Sequence, residues 1–354
     1  GHAELLARPG KPMIISRTPF RISFFGGGTD YPAWYRQNGG AVLATTIDKY
    51  CYITCRYLPP FFEHRSRIVW SQIEHVRETA EIKHPAVREI MAFLDIQDGV
   101  EIHHDGDLPA RSGLGSSSSF AVGMLNALYA LKGIMPSKRQ LALEAVRVEQ
   151  EFLRENVGTQ DQISAAFGGL NRISLGGSED FSVSPVILPA ERLQSFQEHL
   201  MLFFTGLSRN ASDIAGAQIE ATNQNQNNRQ LTEMHQMVDE ATAILSGNGD
   251  LDGFGRMLHE TWQLKRSLTD RITSSHIDEI YESGLAAGAT GGKLLGAGGG
   301  GFMLFFAKPE VQGSIKDRLK HLLNVPFRFE STGSQIIFYD PQSVEQRIEA
   351  LSQN

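Results

Sequence analysis

The stretch that decides the fold is Val100-Glu-Ile-His-His104, a strand-like run, followed by Asp105-Gly-Asp-Leu-Pro109 and then Ala110-Arg-Ser-Gly-Leu-Gly-Ser-Ser-Ser-Ser119. Beyond it, Phe120, Met124, Leu125, Leu128 and Leu131 recur at helical spacing. A strand thus feeds a flexible loop that opens a helix. Glycines in such a loop let the backbone approach an anion, and the free N–H groups and dipole at a helix start favour negative charge. Hydroxyls at Ser116, Ser117 and Ser118 add donors or a metal ligand. Ser112, Gly113, Leu114, Gly115, Ser116, Ser117 and Ser118 are therefore the candidate polyphosphate cradle. A serine-rich loop that merely caps a helix has the same letters, and the strand-loop-helix context is what separates the two.

Other phosphate-binding patterns fail. No Gly-Lys-Ser/Thr ending exists in the chain, so this is not a Walker loop. Gly296-Ala-Gly-Gly-Gly-Gly301 has the glycine spacing of a dinucleotide fingerprint, yet it runs into the strand-like Phe302-Met-Leu-Phe-Phe306 instead of opening a helix. The His-Arg-Asp and Asp-Phe-Gly signatures of protein kinases are missing.

A chain of 354 residues with 41% hydrophobic content has material for two cores of ordinary domain size. A net charge of -7 without a sustained Lys/Arg run argues against nucleic acid as a partner. No apolar stretch reaches the roughly 20 residues that cross a bilayer, and residues 1–12 lack the apolar core of a secretory signal. A cytoplasmic location with no membrane partner is expected. Cys51 and Cys55 share one face of a β-prone segment, which predicts ordinary strand packing, not a disulfide or a metal pair. His103 and His104, as strand neighbours, face opposite ways and predict structural roles.

Strand-like runs at 13–16, 21–25, 41–47 and 51–57 predict a sheet built early. A helix is expected over 137–153, with Ser137 as N-cap and Gln140 completing a capping box. From about residue 190 the sequence is mainly helical to 283, then strand-like at 301–307, 325–330 and 335–339, with a helix over 310–323. Two domains follow, 12–189 and 190–345, the second α+β in character.

Three separated motifs together resemble the GHMP kinases, the superfamily of galactokinase, homoserine kinase, mevalonate kinase and phosphomevalonate kinase. They are Arg17-Thr-Pro-Phe-Arg-Ile-Ser-Phe-Phe-Gly-Gly-Gly-Thr-Asp-Tyr31, Pro109-Ala-Arg-Ser-Gly-Leu-Gly-Ser-Ser-Ser118 and Lys293-Leu-Leu-Gly-Ala-Gly-Gly-Gly-Gly-Phe302, in the family's order. The resemblance implies an α+β, two-domain fold. Its N-terminal α/β domain would have a left-handed crossover, an exception to the usual handedness, and its C-terminal domain would be ferredoxin-like. It also implies ATP and Mg²⁺ as cofactors, with the loop on the ATP phosphates. Ser117 and Glu149 would be magnesium ligands, oxygen donors suited to a hard ion, although Glu149 alone reads as a solvated helix charge beside Glu144 and Glu151. Asp161, in Val157-Gly-Thr-Gln-Asp-Gln162, resembles the catalytic aspartate of the family's sugar kinases, with a plain N-cap as its other reading. Arg21 matches the basic position that pairs with this aspartate and orients the acceptor oxygen. The substrate-binding set implied is Arg17, Gly26, Gly27, Gly28, Thr29, Asp30, Gly298 and Gly299.

Galactokinases carry Gly-Glu-His where this chain has Gly26-Gly-Gly28, which disfavours galactose. The all-glycine form, with Arg17-Thr-Pro, Gly39-Gly40 and Ile47-Asp-Lys-Tyr50, resembles the bacterial kinases of D-glycero-α-D-manno-heptose 7-phosphate, which form the 1,7-bisphosphate leading to GDP-heptose. The expected partner is then a small sugar phosphate, with Arg17 and Lys293 as candidates for its phosphate. Fucose, an N-acetylhexosamine, a galactose-type sugar and mevalonate are alternative acceptors, and a non-catalytic sugar sensor is the reading outside catalysis. The oligomeric state is left open.

Overall fold

The computed structural model describes residues 12–58, 61–207 and 211–340. In its first half β1 (Met13–Phe25), α1 (Pro32–Asn38) and β2 (Gly40–Tyr57) are followed by the hairpin β3 (Ser66–Val69) and β4 (Ile73–Val76). Then come α2 (Pro85–Phe93), β5 (Val100–Gly106), α3 (Ser116–Leu131) and α4 (Lys138–Arg147). A π-helical turn (Val148–Phe152) precedes α5 (Asp161–Phe167), β6 (Leu170–Leu175) and β7 (Phe181–Pro185). The second half contains α6 (Ala190–Glu198), β8 (Leu200–Gly206), α7 (Ala211–Asn223), α8 (Asn228–Ser246), α9 (Asp252–Arg266) and α10 (Ser275–Ala286). It closes with β9 (Gly291–Leu294), β10 (Gly301–Phe306), α11 (Pro309–Arg318), β11 (Leu323–Asn324) and β12 (Gln335–Asp340).

The larger sheet has eight strands, in the order β12-β1-β2-β5-β3-β4, with β6 and β7 branching from β2. Each pair of strand-like runs expected at 13–25 and 41–57 is one long strand. In β1 the register shifts just after Pro19, which lets the ladder pass a residue that has no N–H to donate. β2 is long enough to pair with β6 through its first half and with β5 through its second. Cys51 and Cys55 are buried free thiols in that second half. The helix α3 lies against β1 and β2 and is buried on nearly every side, so its amphipathic stripe is almost lost. Ser137 caps α4 by accepting the Gln140 N–H at 3.0 Å. The reciprocal half of the capping box does not form, because the Gln140 amide turns to Tyr129 and Glu144.

The smaller sheet is antiparallel, β11-β8-β10-β9. Alternation along its strands separates two cores. Leu202, Leu304 and Phe306 join the core beneath the large sheet, while Met201, Phe203, Met303 and Phe305 join a second one with Trp262 and Tyr281. Phe24, Phe196 and Phe254 pack ring against ring between the layers, at centroid separations of 4.8–5.5 Å.

Three expectations are corrected at the C-terminal end. Residues 325–330 are not a strand; they follow β2 as an extended segment with one bridge, Ile47 to Phe329. The strand expected at 335–339 forms as β12 but pairs with β1 of the large sheet, not with the second sheet. The reason is an edge: β1 has β2 on one side only, and β12 completes its other ladder. The helix expected over 310–323 ends at Arg318. Among the described residues no helix is long and apolar enough to cross a membrane.

Candidate active site

The site is organised around Arg21, on β1, where the strand passes the start of α3. Its backbone N–H donates to the Leu114 carbonyl at 2.9 Å, and its Nη1 donates to the Gly113 carbonyl at 2.8 Å. Its Nε donates to Asp161 Oδ1 at 2.5 Å. Asp161 is the first residue of α5, yet the N-cap position belongs to Gln160 and the Asp161 carboxylate faces the guanidinium. One side chain thus ties the first motif to the loop and to the aspartate.

Two loop glycines are required by space. Gly113 has φ +86°, and a Cβ there would lie 2.3 Å from the Leu295 carbonyl oxygen. Gly115 has φ +73°, and a Cβ there would lie 3.2 Å from Arg21 Cγ and 3.3 Å from Asp161 Cγ. The late glycine run therefore seats directly on the loop, fastened by the Phe302 N–H donating to the Ser112 carbonyl at 2.9 Å. The run is a packing surface for the 112–115 loop.

Glu149 lies on the π-helical turn, a local insertion common at functional sites. It is 1% exposed, not the solvated charge its neighbours suggested. Ser117 donates to its Oε2 at 3.0 Å, and Ser118 and the Gln162 amide donate to its Oε1 at 2.5 and 3.0 Å. Burial pushes its carboxyl up to about 7 against these donors, with the Asp161 charge adding to the rise. A buried carboxylate flanked by two hydroxyls, with no cation beside it among the described residues, is a donor set that fits a hard divalent ion.

These groups open on a cavity of about 580 Å³. Of the residues singled out by sequence, Arg21, Gly27, Gly28, Asp30 and Asp161 line it. So do Gly113, Gly115, Ser116, Ser117 and Glu149. Asp30 is buried, accepts the Gly28 N–H at 2.9 Å, and is pushed above the usual carboxylate range by burial and then by the Asp161 charge.

Other expected residues do not reach the cavity. Arg17 lies over the Tyr50 ring at 4.5 Å and donates to Gln335 on β12, four residues back along β1 from Arg21 and outside the cavity lining. Gly26 is pressed against the Ala41 carbonyl, and the Thr29 hydroxyl donates to Gly26 and Ala41 carbonyls, so both shape the turn. Gly298 packs on Ile272, whose carbonyl accepts the Gly299 N–H at 3.0 Å, so these two glycines serve the turn before β10. Ser112 and Leu114 act through their backbones and Ser118 through Glu149.

Sequence reasoning missed two parts of the wall. Lys265, on α9, looks like one more cation in a helical Gln-Leu-Lys-Arg run, and nothing local marks it as buried. His84, His104 and Phe120 form an aromatic cluster on the wall, with Phe120 at 4.8 Å from each histidine, stacked on His84 and edge-on to His104. Only the even spacing of His104 with Ile102 on β5 hinted that it faces inward.

Family comparison gives this geometry a name. The model of the GHMP kinases N terminal domain matches residues 74–169, and that of the GHMP kinases C terminal matches 241–324. The chain belongs to the GHMP kinases. As a member of that family it is a phosphotransferase. This GHMP kinase is 26% identical over 318 residues to the D-glycero-alpha-D-manno-heptose 7-phosphate kinase of Campylobacter jejuni, covering 87% of this chain and 93% of that protein. It is 24% identical to the galactokinase of Pyrococcus furiosus, covering 86% and 92%. A solved D-glycero-D-manno-heptose 1-phosphate kinase from Bacteroides thetaiotaomicron superposes with a TM-score of 0.72 at 22% identity, over 92% of this chain and 99% of that one. Lactococcus lactis galactokinase, solved with galactose, superposes at 0.69 with 18% identity, over 92% and 94%. At such identities the structures share the fold, the two-domain α+β arrangement expected from the motifs.

Proposed function

We propose that this GHMP kinase transfers the γ-phosphoryl group of ATP to the anomeric hydroxyl of D-glycero-D-manno-heptose 7-phosphate, giving the 1,7-bisphosphate. The observation that carries the transfer is the Arg21–Asp161 pair, held at 2.5 Å against a glycine-lined helix start inside one cavity. The acceptor rests on two supports. Gly27 lines the cavity without a side chain, and a Cβ there would meet nothing nearer than the Gln160 amide at 4.0 Å, which leaves room for a longer acceptor. The Campylobacter relative is named for this substrate.

In this reading the backbone N–H groups of 113–117 and the α3 dipole bind the nucleotide phosphates. Ser117 and Glu149 would hold Mg²⁺, which when bound neutralises charge on the transferring phosphoryl group. The aromatic cluster of His84, His104 and Phe120 offers an apolar wall for the base. Asp30 and the backbone of 27–28 orient sugar hydroxyls. Asp161 accepts the proton of the attacking hydroxyl as its oxygen bonds to the γ-phosphorus and the bond to the β-phosphate oxygen breaks. Arg21 fixes the carboxylate toward that hydroxyl and contributes positive charge beside the reacting oxygens. Since phosphoryl transfer has a loose transition state, positioning supplies most of the acceleration and general-base help about 10²- to 10⁴-fold. The same reading divides the chain near residue 190 and places the reaction in the cytoplasm, where ATP is plentiful.

Coupled detection of ADP release with a panel of sugars, followed by phosphorus NMR of the product, tests it. Turnover of heptose 7-phosphate with a new anomeric phosphate is the expected result. Preferred turnover of fucose or galactose would replace the acceptor, and ADP release with none of them would favour a sensor.

A further inference from the structure

We infer that Lys265 and Lys293 form the subsite that receives the acceptor's own phosphate group. The inference rests on the sugar-phosphate reading above and names the part of the site that would select for it.

Lys265 comes from α9 and Lys293 from β9, and the two are 7% and 4% exposed. Both line the cavity. The Lys265 ammonium donates to the Gly296 carbonyl, and the Lys293 ammonium donates to the Ser23 carbonyl at 3.0 Å. Among the described residues neither lysine is ion-paired with a carboxylate. An ammonium has three N–H donors, so each keeps donors free for a ligand. Burying two like charges side by side without a counter-ion is costly, and the cost shows. Burial, followed by Arg21, pulls Lys265 down to about 8; burial, followed by Lys265 and Arg21, pulls Lys293 well below the usual lysine range. The facing carboxylates, Asp30 and Asp161, relieve this only in part. Asp161 is taken by Arg21, and Asp30 is itself pushed toward its neutral form. A phosphate dianion in the cavity would supply the missing charge and accept several of the free donors.

Position separates Lys293 from the nucleotide's site, whereas Lys265, bonded to the carbonyl of Gly296, which packs against Gly113, lies nearer the phosphate loop. Ser23 lies two residues beyond Arg21 on β1, on the same face and about 7 Å further along the strand, toward the Gly27–Gly28 turn. The phosphate loop meets Arg21 through Gly113 instead. The ammonium of Lys293 therefore hangs on the acceptor side of the reacting pair, where a substituent on the far end of a sugar would extend. Arg17, the other cation considered for this role, lies over Tyr50 away from the cavity.

The test compares heptose 7-phosphate with unphosphorylated heptose on the wild type and on Lys293→Met and Lys265→Met, reading kcat/KM for each acceptor and KM for ATP. The wild type is expected to prefer the phosphorylated sugar, and each variant to lose at least about tenfold of that preference through a raised KM for the sugar phosphate. An unchanged preference overturns the assignment, as does a KM for ATP that rises in step, which would place the lysines on the nucleotide. If the variants do not fold, calorimetric titration of the wild type in the presence of a non-hydrolysable ATP analogue decides. There the 7-phosphate must add at least about tenfold in affinity over the bare sugar, and a smaller gain sinks the idea. A wild type that turns over neither heptose removes the acceptor reading and this inference with it, whereas turnover with unaltered selectivity in the variants removes the lysines alone.

Discussion

Asp161 and Arg21 stand 140 positions apart in the chain and 2.5 Å apart in space. Asp161→Asn keeps the shape and removes the proton acceptor, so kcat should fall about 10²- to 10⁴-fold while KM for ATP changes little. Turnover like the wild type's in steady-state assays would reject the role. Glu149→Gln removes a buried charge at constant volume, and the Mg²⁺ concentration needed for half-maximal rate should rise by about tenfold or more, read from a magnesium titration. Lys265 adds a pH signature. Its ammonium, disfavoured by burial and then by Arg21 and favoured by Asp30 and Asp161, loses its proton as pH rises through about 8 in the ligand-free protein. Since kcat/KM reports the free enzyme, its value for the phosphorylated acceptor should decline above that pH, and the bare sugar should lack this decline. At this scale the sequence was legible where a residue sits inside a recognisable motif, as Asp161 and Arg21 do, and less so for Glu149, which alone reads as a solvated helix charge. It was opaque for Lys265, whose role depends on which face of α9 the second core buries.

The loop between β5 and α3 shows what an element adds to its residues. Gly113 and Gly115 both have left-handed backbone, so alanine at either costs about 1–2 kcal/mol before any contact is counted. The contacts then differ. At Gly113 the methyl meets main chain of the late glycine run, so Gly113→Ala should lower the melting temperature and weaken ATP binding together. At Gly115 it meets the Arg21 and Asp161 side chains, so Gly115→Ala should depress kcat well beyond its modest effect on stability. Thermal unfolding alongside kinetics on the two variants separates these outcomes, and equal effects would contradict the geometry. The strand-loop-helix order was readable because periodicity changes abruptly at Ser116. The glycine run after β9 was readable only as a motif, because its partner is the loop 180 residues earlier and no local pattern records it.

Across the whole molecule, the Phe24, Phe196 and Phe254 rings join β1 to α6 and α9 and so couple the layers on either side of the cavity. Phe254→Ala should cost about 3–5 kcal/mol, and the wild type should unfold in one calorimetric transition, with the variant's transition shifted down but still single. Two separated transitions would show that the layers stand alone. β12 makes the same point about connectivity, since a strand near the end of the described chain finishes the sheet begun by β1. By itself the sequence determined the strand-loop-helix order and the family, because glycine, hydroxyl and carboxylate at fixed local spacing report directly on backbone shape and chemistry. Only the tertiary structure decided that Arg17, Thr29 and Gly298 serve packing, that β12 returns to the first sheet, and that two buried lysines line the same cavity as the Arg21–Asp161 pair. Such choices are made by which surfaces meet, and burial between distant segments leaves no periodic trace in either one.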